Sequence, residues 1–324
     1  MSLAADASRD MALKRFATSD ALFRAITRVA AYLVLILLGG IILTLIAGSW
    51  LALSTFGFGF FTSESWNPVT EKFGALAPVY GTIVTSVIAM LIATPIGLGI
   101  GIFLTEMCPI ALRRSVGTAI ELLAGVPSII YGMWGLFFLA PVLQSFEQNY
   151  LIPLFGPIPI LSALFEGPAY GIGMLTAGII LAIMILPFIA AISRDVFETV
   201  PPVLKEAAYG IGCTTREVVS KVVLPYARVG VLGGTMLALG RALGETMAVT
   251  FVIGNSHKVV ASVLAPGTTI SASIANEFTE AVSDLYTSAL VGLALILFVI
   301  TLIVLACARL MLMRINLRVG GGGH

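Results

Sequence analysis

The sequence predicts an all-α polytopic membrane protein with six transmembrane helices, and three observations carry that expectation. Of its 324 residues, 58% are hydrophobic and only 11% are charged, whereas a soluble domain carries about 25% charged residues. Six stretches reach the roughly 20 apolar residues that a helix needs to span a bilayer: Val29–Leu53, Thr82–Leu104, Gly117–Leu139, Gly171–Ile192, Val229–Gly254 and Ser288–Met313. Third, if six helices alternate, 15 of the 18 Lys and Arg residues fall on one side. Lys72 and Lys258 fall on the other, and Arg241 lies within an apolar stretch. Positive charge marks the cytoplasmic side, so both termini are expected inside. No segment shows the alternating pattern of about ten residues that marks a membrane barrel.

Residues 1–28 read as an inside tail. Ser19 or Asp20 can cap a short helix in which Leu22, Ile26 and Val29 share a face, as in an amphipathic helix at the membrane surface. The apolar run Val29–Leu53 is too long for a signal peptide and reads as a retained helix. In the second span Gly97 and Gly101 stand four apart and permit close helix contact. Pro127 falls inside the third span and predicts a kink. Glu121 is expected to pair with Arg113 or Arg114. The outside segments are Ser54–Gly81, Gln144–Tyr170 and Asn255–Thr287. The second carries four prolines and should be irregular; in the third, Ile270, Ile274, Phe278 and Val282 predict one amphipathic helix. Cys108, Cys213 and Cys307 sit on the inside, where no disulfide is expected. Residues 314–324 form a tail, and its terminal GGGGH reads as an appended remnant. Span and loops 29–313 therefore make one membrane domain.

The inside loop 193–228 is the most patterned part outside the membrane. Thr199 can cap a helix with Pro201 and Pro202 in its first turn and Gly210 or Gly212 as its stop. Thr214 and Glu217 then form a capping box, opening a second short helix that should end at Pro225. A flexible linker needs no caps or stops. Such a knob suits either mechanical coupling to a soluble partner or a plain surface helix pair.

Arg241 is 12 residues beyond Val229, roughly 18 Å along a helix, and so near the midplane of a ~30 Å core. A charge there should face the bundle interior or a polar cavity. Glu245 is one turn on. Two readings stand: an internal ion pair that fixes packing, or an anion site in which the guanidinium grips two oxygens while Glu245 holds it in the empty state. Ser128 and Tyr131, polar groups just past Pro127, are further candidates for the route.

The inside loop also resembles a known pattern. Glu206, Ala207, Ala208, Gly212, Val222, Leu224 and Pro225 match the EAA loop of ABC importer permeases, which usually carry isoleucine where Val222 stands. Trp66–Thr82, Leu122–Gly132, Gly240–Asn255 and Pro266–Phe278 resemble the permease subunits of phosphate ABC importers, and the likeness covers roughly Gly57 to Arg309. The resemblance implies a type I ABC importer permease fold in a bacterial inner membrane. It implies a loop that docks on an ATPase, and roles for Arg241 and Glu245 in phosphate passage. The partners it implies are a homologous second permease, a dimer of ATP-binding subunits and an extracytoplasmic phosphate-binding protein, besides lipid; no nucleic acid and no cofactor are expected. The chain has no GxxxxGK[ST] motif, so ATP hydrolysis is expected on a separate chain. The alternatives are an ion-coupled secondary anion transporter, a permease for another tetrahedral oxyanion, and a regulatory membrane protein. A membrane enzyme is disfavoured, since His257 is the only histidine before the terminal one.

Overall fold

A computed structural model describes the backbone of residues 2–320 and the side chains of 20–159 and 162–313. Among the described residues the only strand-like feature is a bridge between Asn67 and Lys72. Everything else regular is helical. The main helices are α1 (Ser2–Phe56), α2 (Leu76–Met107), α3 (Ile110–Ala124), α4 (Ser128–Phe155), α5 (Met174–Glu198), α6 (Pro202–Gly210), α7 (Thr215–Leu243), α8 (Met247–Thr250), α9 (Ile270–Glu277) and α10 (Asp284–Gly320), with further short helical turns at Gly59–Thr62 and Pro159–Phe165. Six of them, α1, α2, α4, α5, α7 and α10, are long and apolar enough to cross a membrane.

The centre is the pair α2 and α5, which small residues let approach closely. A side chain on Gly97 would lie 2.7 Å from Ile189, and one on Gly101 would lie 2.8 Å from Ser193, so the close contact expected of these glycines is present. On the facing helix Gly178 receives Ile88. Backbone approach of this kind supplies the van der Waals contact that holds membrane helices together, since lipid is as apolar as leucine. The buried cluster built on Ile180, Leu181, Ile185, Ile189 and Val252 fills the bundle. Next, α7 lies against α5, with Val196 over Gly230 and Ile192 over Gly234. At the periphery α10 joins α1, where the Ser288 hydroxyl donates to the Gly48 carbonyl at 2.7 Å and accepts from the Ala52 N–H at 3.0 Å.

Several expectations about element ends are corrected. The third span is not a kinked helix from Gly117. It breaks outright: α3 stops at Gly125, and Pro127 flanks the start of α4. Proline cannot donate to the preceding turn, and Gly125 adds a second weak point, so the chain turns between two helices. The crossing therefore shifts to Ser128–Phe155, into the segment expected to be an outside loop. Two π-helical turns, Gly135–Leu139 and Glu147–Leu151, interrupt α4. At its far end the buried Glu147 accepts the Gly171 N–H at 3.1 Å.

At the amino end no separate surface helix forms, because α1 runs unbroken from Ser2 to Phe56. Asp20 pairs with Arg24 one turn on instead of capping, and the Ser19 side chain lies outside the described residues. The amphipathic helix expected to reach Val282 ends at Glu277; Val282 is 97% exposed. At the carboxyl end α10 continues to Gly320, and the remaining Gly-Gly-Gly-His lies outside the described residues.

Candidate functional site

The stretch Gly240–Phe251 does not form one helix through the membrane. Its α7 stops at Leu243, and Gly244 gives it no side chain to pack. Arg241 thereby falls in the last helical turn, where unsatisfied carbonyls make the end negative and a cation favourable. Its side chain is exposed on the surface of this chain. Glu245 stands beyond the break, and its Oε1 accepts the Ala248 N–H of α8 at 3.4 Å. Each charge thus serves a different helix end. Among the described residues no ion pair involves Arg241, so the expected pairing with Glu245 is corrected. The break rotates them off a common helix face.

The third-span break lies against this one. A side chain on Gly132 would lie 2.9 Å from the Met247 carbonyl and 3.1 Å from the Ala248 Cα, so the start of α4 packs directly on α8. Within that start Tyr131 donates its hydroxyl to the Leu123 carbonyl at 2.9 Å, bridging the break between α3 and α4. Ser128 is half-buried at the first turn of α4. The fold therefore brings the elements carrying Ser128, Tyr131, Arg241 and Glu245 to one place. Beside the break a crevice of about 460 Å³ opens between Gly240, Gly244, Ser271, Ile274, Leu297 and Phe298. The hydroxyl of Ser271 is buried there without a partner.

The second candidate region is the loop between α5 and α7. Thr214 accepts the Glu217 N–H at 3.4 Å while the Glu217 carboxylate accepts the Thr214 N–H at 3.0 Å, completing the expected capping box. Gly212 takes a left-handed φ of +88°, which favours glycine at that turn. Two details differ from expectation. Thr199 ends α5, bonding back to the Val196 carbonyl at 2.7 Å, and does not cap α6. Nor does Pro225 end a short helix. A π-helical turn at Val219–Val223 precedes it, and α7 runs on into the membrane. The wider turn is one of the local adjustments that re-satisfy backbone groups near a proline.

On this loop Ala208 is buried with Val218 and Val223 in a small core that Val222 and Leu224 flank. Glu206, Ala207, Tyr209 and Ile211 remain exposed, Ile211 at 84%. Lys205 pairs with Glu106 at 2.6 Å and ties the loop to the end of α2. Glu121 does not pair with Arg113 or Arg114: Arg194 of α5 takes it at 2.7 Å, because α3 packs along α5.

Sequence reasoning passed over one set of residues. At the opposite end from the loop, the Glu277 carboxylate accepts Trp66 Nε1–H at 2.5 Å and the Tyr286 hydroxyl at 2.6 Å, with His257 Nε2 at 3.3 Å. His257 stacks on Trp66 with ring centres 5.1 Å apart. Trp66 and Glu277 are 211 positions apart, a separation that leaves no local signal.

A helical membrane chain with two broken spans meeting in its interior and a capped loop at one end has the form of a transporter's membrane subunit. It belongs to the binding-protein-dependent transport system inner membrane component family, whose pattern matches residues 97–317. It is 69% identical to the phosphate transport system permease protein PstC of Mesorhizobium japonicum, covering 97% of this chain and 96% of that one. With the PstC of Pasteurella multocida it shares 57% identity over 93% and 94% of the two chains. Among solved structures, a chain of the inward-facing MetNI methionine ABC transporter superposes with a TM-score of 0.53 at 18% identity. That match covers 73% of this chain and 94% of the other. The fold is the type I ABC importer permease fold.

Proposed function

We propose that this chain is the permease subunit of an ATP-driven inorganic phosphate importer, lining part of the route with Arg241. The observation that carries the reading is the state of that guanidinium. It sits at a helix break in an apolar span, exposed on the surface of this chain and without an ion-pair partner among the described residues. A charge at that depth is costly unless a partner or a polar cavity receives it. A passing oxyanion answers it with two parallel charge-assisted hydrogen bonds. Glu245 is held by α8 rather than by Arg241, which leaves the guanidinium free to engage the anion. The Ser128 hydroxyl supplies a neutral contact at the adjoining break, while Tyr131 holds that break in shape. The choice of phosphate among oxyanions rests on the likeness to phosphate transport permeases.

Motion is supplied from elsewhere. Glu206, Ala207, Tyr209 and Ile211 form the exposed face that an ATP-binding subunit covers, on the cytoplasmic side. Ala208, Gly212, Val222, Leu224 and Pro225 shape the knob beneath them. Because α7 continues from the knob to Arg241 as one rod, a push on the loop moves the charged break. A homologous second permease completes the route, and an extracytoplasmic binding protein delivers phosphate to the far end.

Reconstitution of the whole complex in proteoliposomes tests this reading. Phosphate uptake should require ATP, the ATPase and the binding protein together, and sulfate should not compete. Uptake driven by an ion gradient without the ATPase would establish secondary transport instead. ATP-dependent uptake of sulfate in preference to phosphate would reassign the substrate.

A further inference from the structure

The loop end carries a second cluster of positive charge, and the transport route makes no use of it. At the start of α3, Ile110, Arg113 and Arg114 stand three and four residues apart and share a side; on α5, Arg194 and Glu198 are one turn apart. Together these five residues enclose a crevice of about 250 Å³. Their charges are not equally committed. Arg194 is neutralised by Glu121 at 2.7 Å and Asp195 at 2.8 Å. Arg113 gives one Nη2 hydrogen bond to the Thr105 carbonyl at 2.6 Å, which fixes its guanidinium. Its Nε–H is buried and has no partner. Arg114 is exposed, and among the described residues neither it nor Arg113 has a carboxylate within 4.0 Å. Glu198 is the one carboxylate on the wall, and it too makes no ion pair among them.

We infer that this crevice binds a phosphoryl oxyanion that also carries a hydroxyl group. Two guanidiniums without carboxylate partners, one of them fixed by the Thr105 carbonyl, match the oxygens of a phosphate group. Glu198 can only accept while it is ionised, so it repels a fully ionised ligand and receives a hydroxyl. Two sources share this chemistry. One is the headgroup of phosphatidylglycerol, a phosphodiester with two free hydroxyls; the other is inorganic phosphate, which keeps a P–OH near neutral pH. The surroundings suit a headgroup at the membrane interface. Met107 and Ile110, at 65% and 87% exposed, flank the arginines with apolar surface, and basic pockets at that level attract anionic lipid.

The test reads binding rather than uptake, so its failure is separate from failure of the transport reading. The full chain is placed in phosphatidylcholine nanodiscs with or without phosphatidylglycerol. Retained lipid is counted by native mass spectrometry, and thermal shifts are recorded with inorganic phosphate and with sulfate. Phosphatidylglycerol retained over phosphatidylcholine by about tenfold, the size of one charge-assisted hydrogen bond, and lost in Arg113→Gln/Arg114→Gln, identifies the lipid source. Stabilisation by phosphate but not sulfate, lost in the same double variant and kept in Arg241→Ala, identifies the free ion. Equal lipid retention and equal phosphate response in wild type and variant overturn the site. Sulfate acting as well as phosphate overturns the role of Glu198. Arg113→Gln also loses the Thr105 contact; if it does not fold, the exposed Arg114→Gln alone decides, with the same outcomes.

Discussion

The two ends of the bundle treat their polar groups in opposite ways. At the end bearing Trp66 and Glu277, one carboxylate accepts from Trp66 and Tyr286 and lies 3.3 Å from His257 Nε2, and the Ser273 hydroxyl bridges His257 at 3.3 Å and Thr268 at 2.9 Å. Backbone packing is equally tight there: a side chain on Gly81 would lie 2.0 Å from the Thr268 carbonyl. At the break and at the loop end, Arg241, Arg114, Glu206 and the buried Nε of Arg113 lack such partners. Ser271 of α9 is buried without a partner even there, yet the charge of Glu277 is answered by its neighbours, whereas Arg241, Arg114 and Glu206 stand open. These three are exposed charges, and without ion-pair partners among the described residues they remain available to ions, lipid and other subunits.

The largest effect expected from this contrast is at Arg241. In Arg241→Ala the complex should assemble normally while phosphate uptake falls by about 100-fold, the loss of a bidentate charge-assisted contact. Uptake by that variant within a few-fold of wild type would leave the guanidinium with only a packing role. Next comes the exposed face of α6. Glu206→Lys should lower retention of the ATP-binding subunit on affinity purification by about tenfold, the scale of one charged contact at an interface, while the bundle still folds. Unchanged retention together with unchanged phosphate-dependent ATPase activity would remove α6 from the docking surface. At the closed end, Glu277→Ala strands the Trp66 and Tyr286 donors, each costing about 1–3 kcal/mol when buried and unpaired. Its apparent melting temperature should drop by several degrees with the ATPase interface intact. A melting curve matching wild type would show that the network is not what holds that end shut.

What could be read in advance followed from strong local chemistry. Six apolar runs set the number of spans, and the capping box at Thr214 and Glu217 and the pair Gly97 and Gly101 each state their structure within a few residues. The errors share a different cause. Pro127 was legible as a weak point, but whether a weak point bends or breaks depends on what packs beside it, and here its break packs against a second one at Gly244. The spacing of Ile270, Ile274, Phe278 and Val282 looked helical throughout, yet only the first two find a core. Thr199 had two places to bond, forward into α6 or back to Val196, and sequence cannot rank them. Glu121 chose Arg194, far along the chain, over two nearer arginines. Long-range choices of this kind decide the candidate site more than they decide the span count, so the fold was more legible than the position of Arg241 and Glu245 relative to each other.

The smallest and most discriminating effect concerns pH at the closed end. Burial between Trp66 and the Glu277 side holds His257 below its ordinary value of 6.5, with the Glu277 carboxylate opposing the shift. Tyr286 and Ser273 also face this pair, and Glu280 lies nearby on the same segment. Because the folded state resists the proton more than the unfolded chain does, stability is full above the ordinary value. It is lost as pH falls through that value towards the folded one. The apparent melting temperature should therefore decline modestly from about pH 7.5 to about pH 5.5, where histidine titrates and most carboxylates do not. In His257→Gln the decline should shrink, since an amide keeps a polar contact without a titration. A decline that is equally steep in the variant would assign the pH response to other groups, and one of opposite sign would mean that the attraction of Glu277 outweighs burial. Either result would also show that the network around Glu277 is less closed than its geometry indicates, and would weaken the contrast with the open charges at the other end.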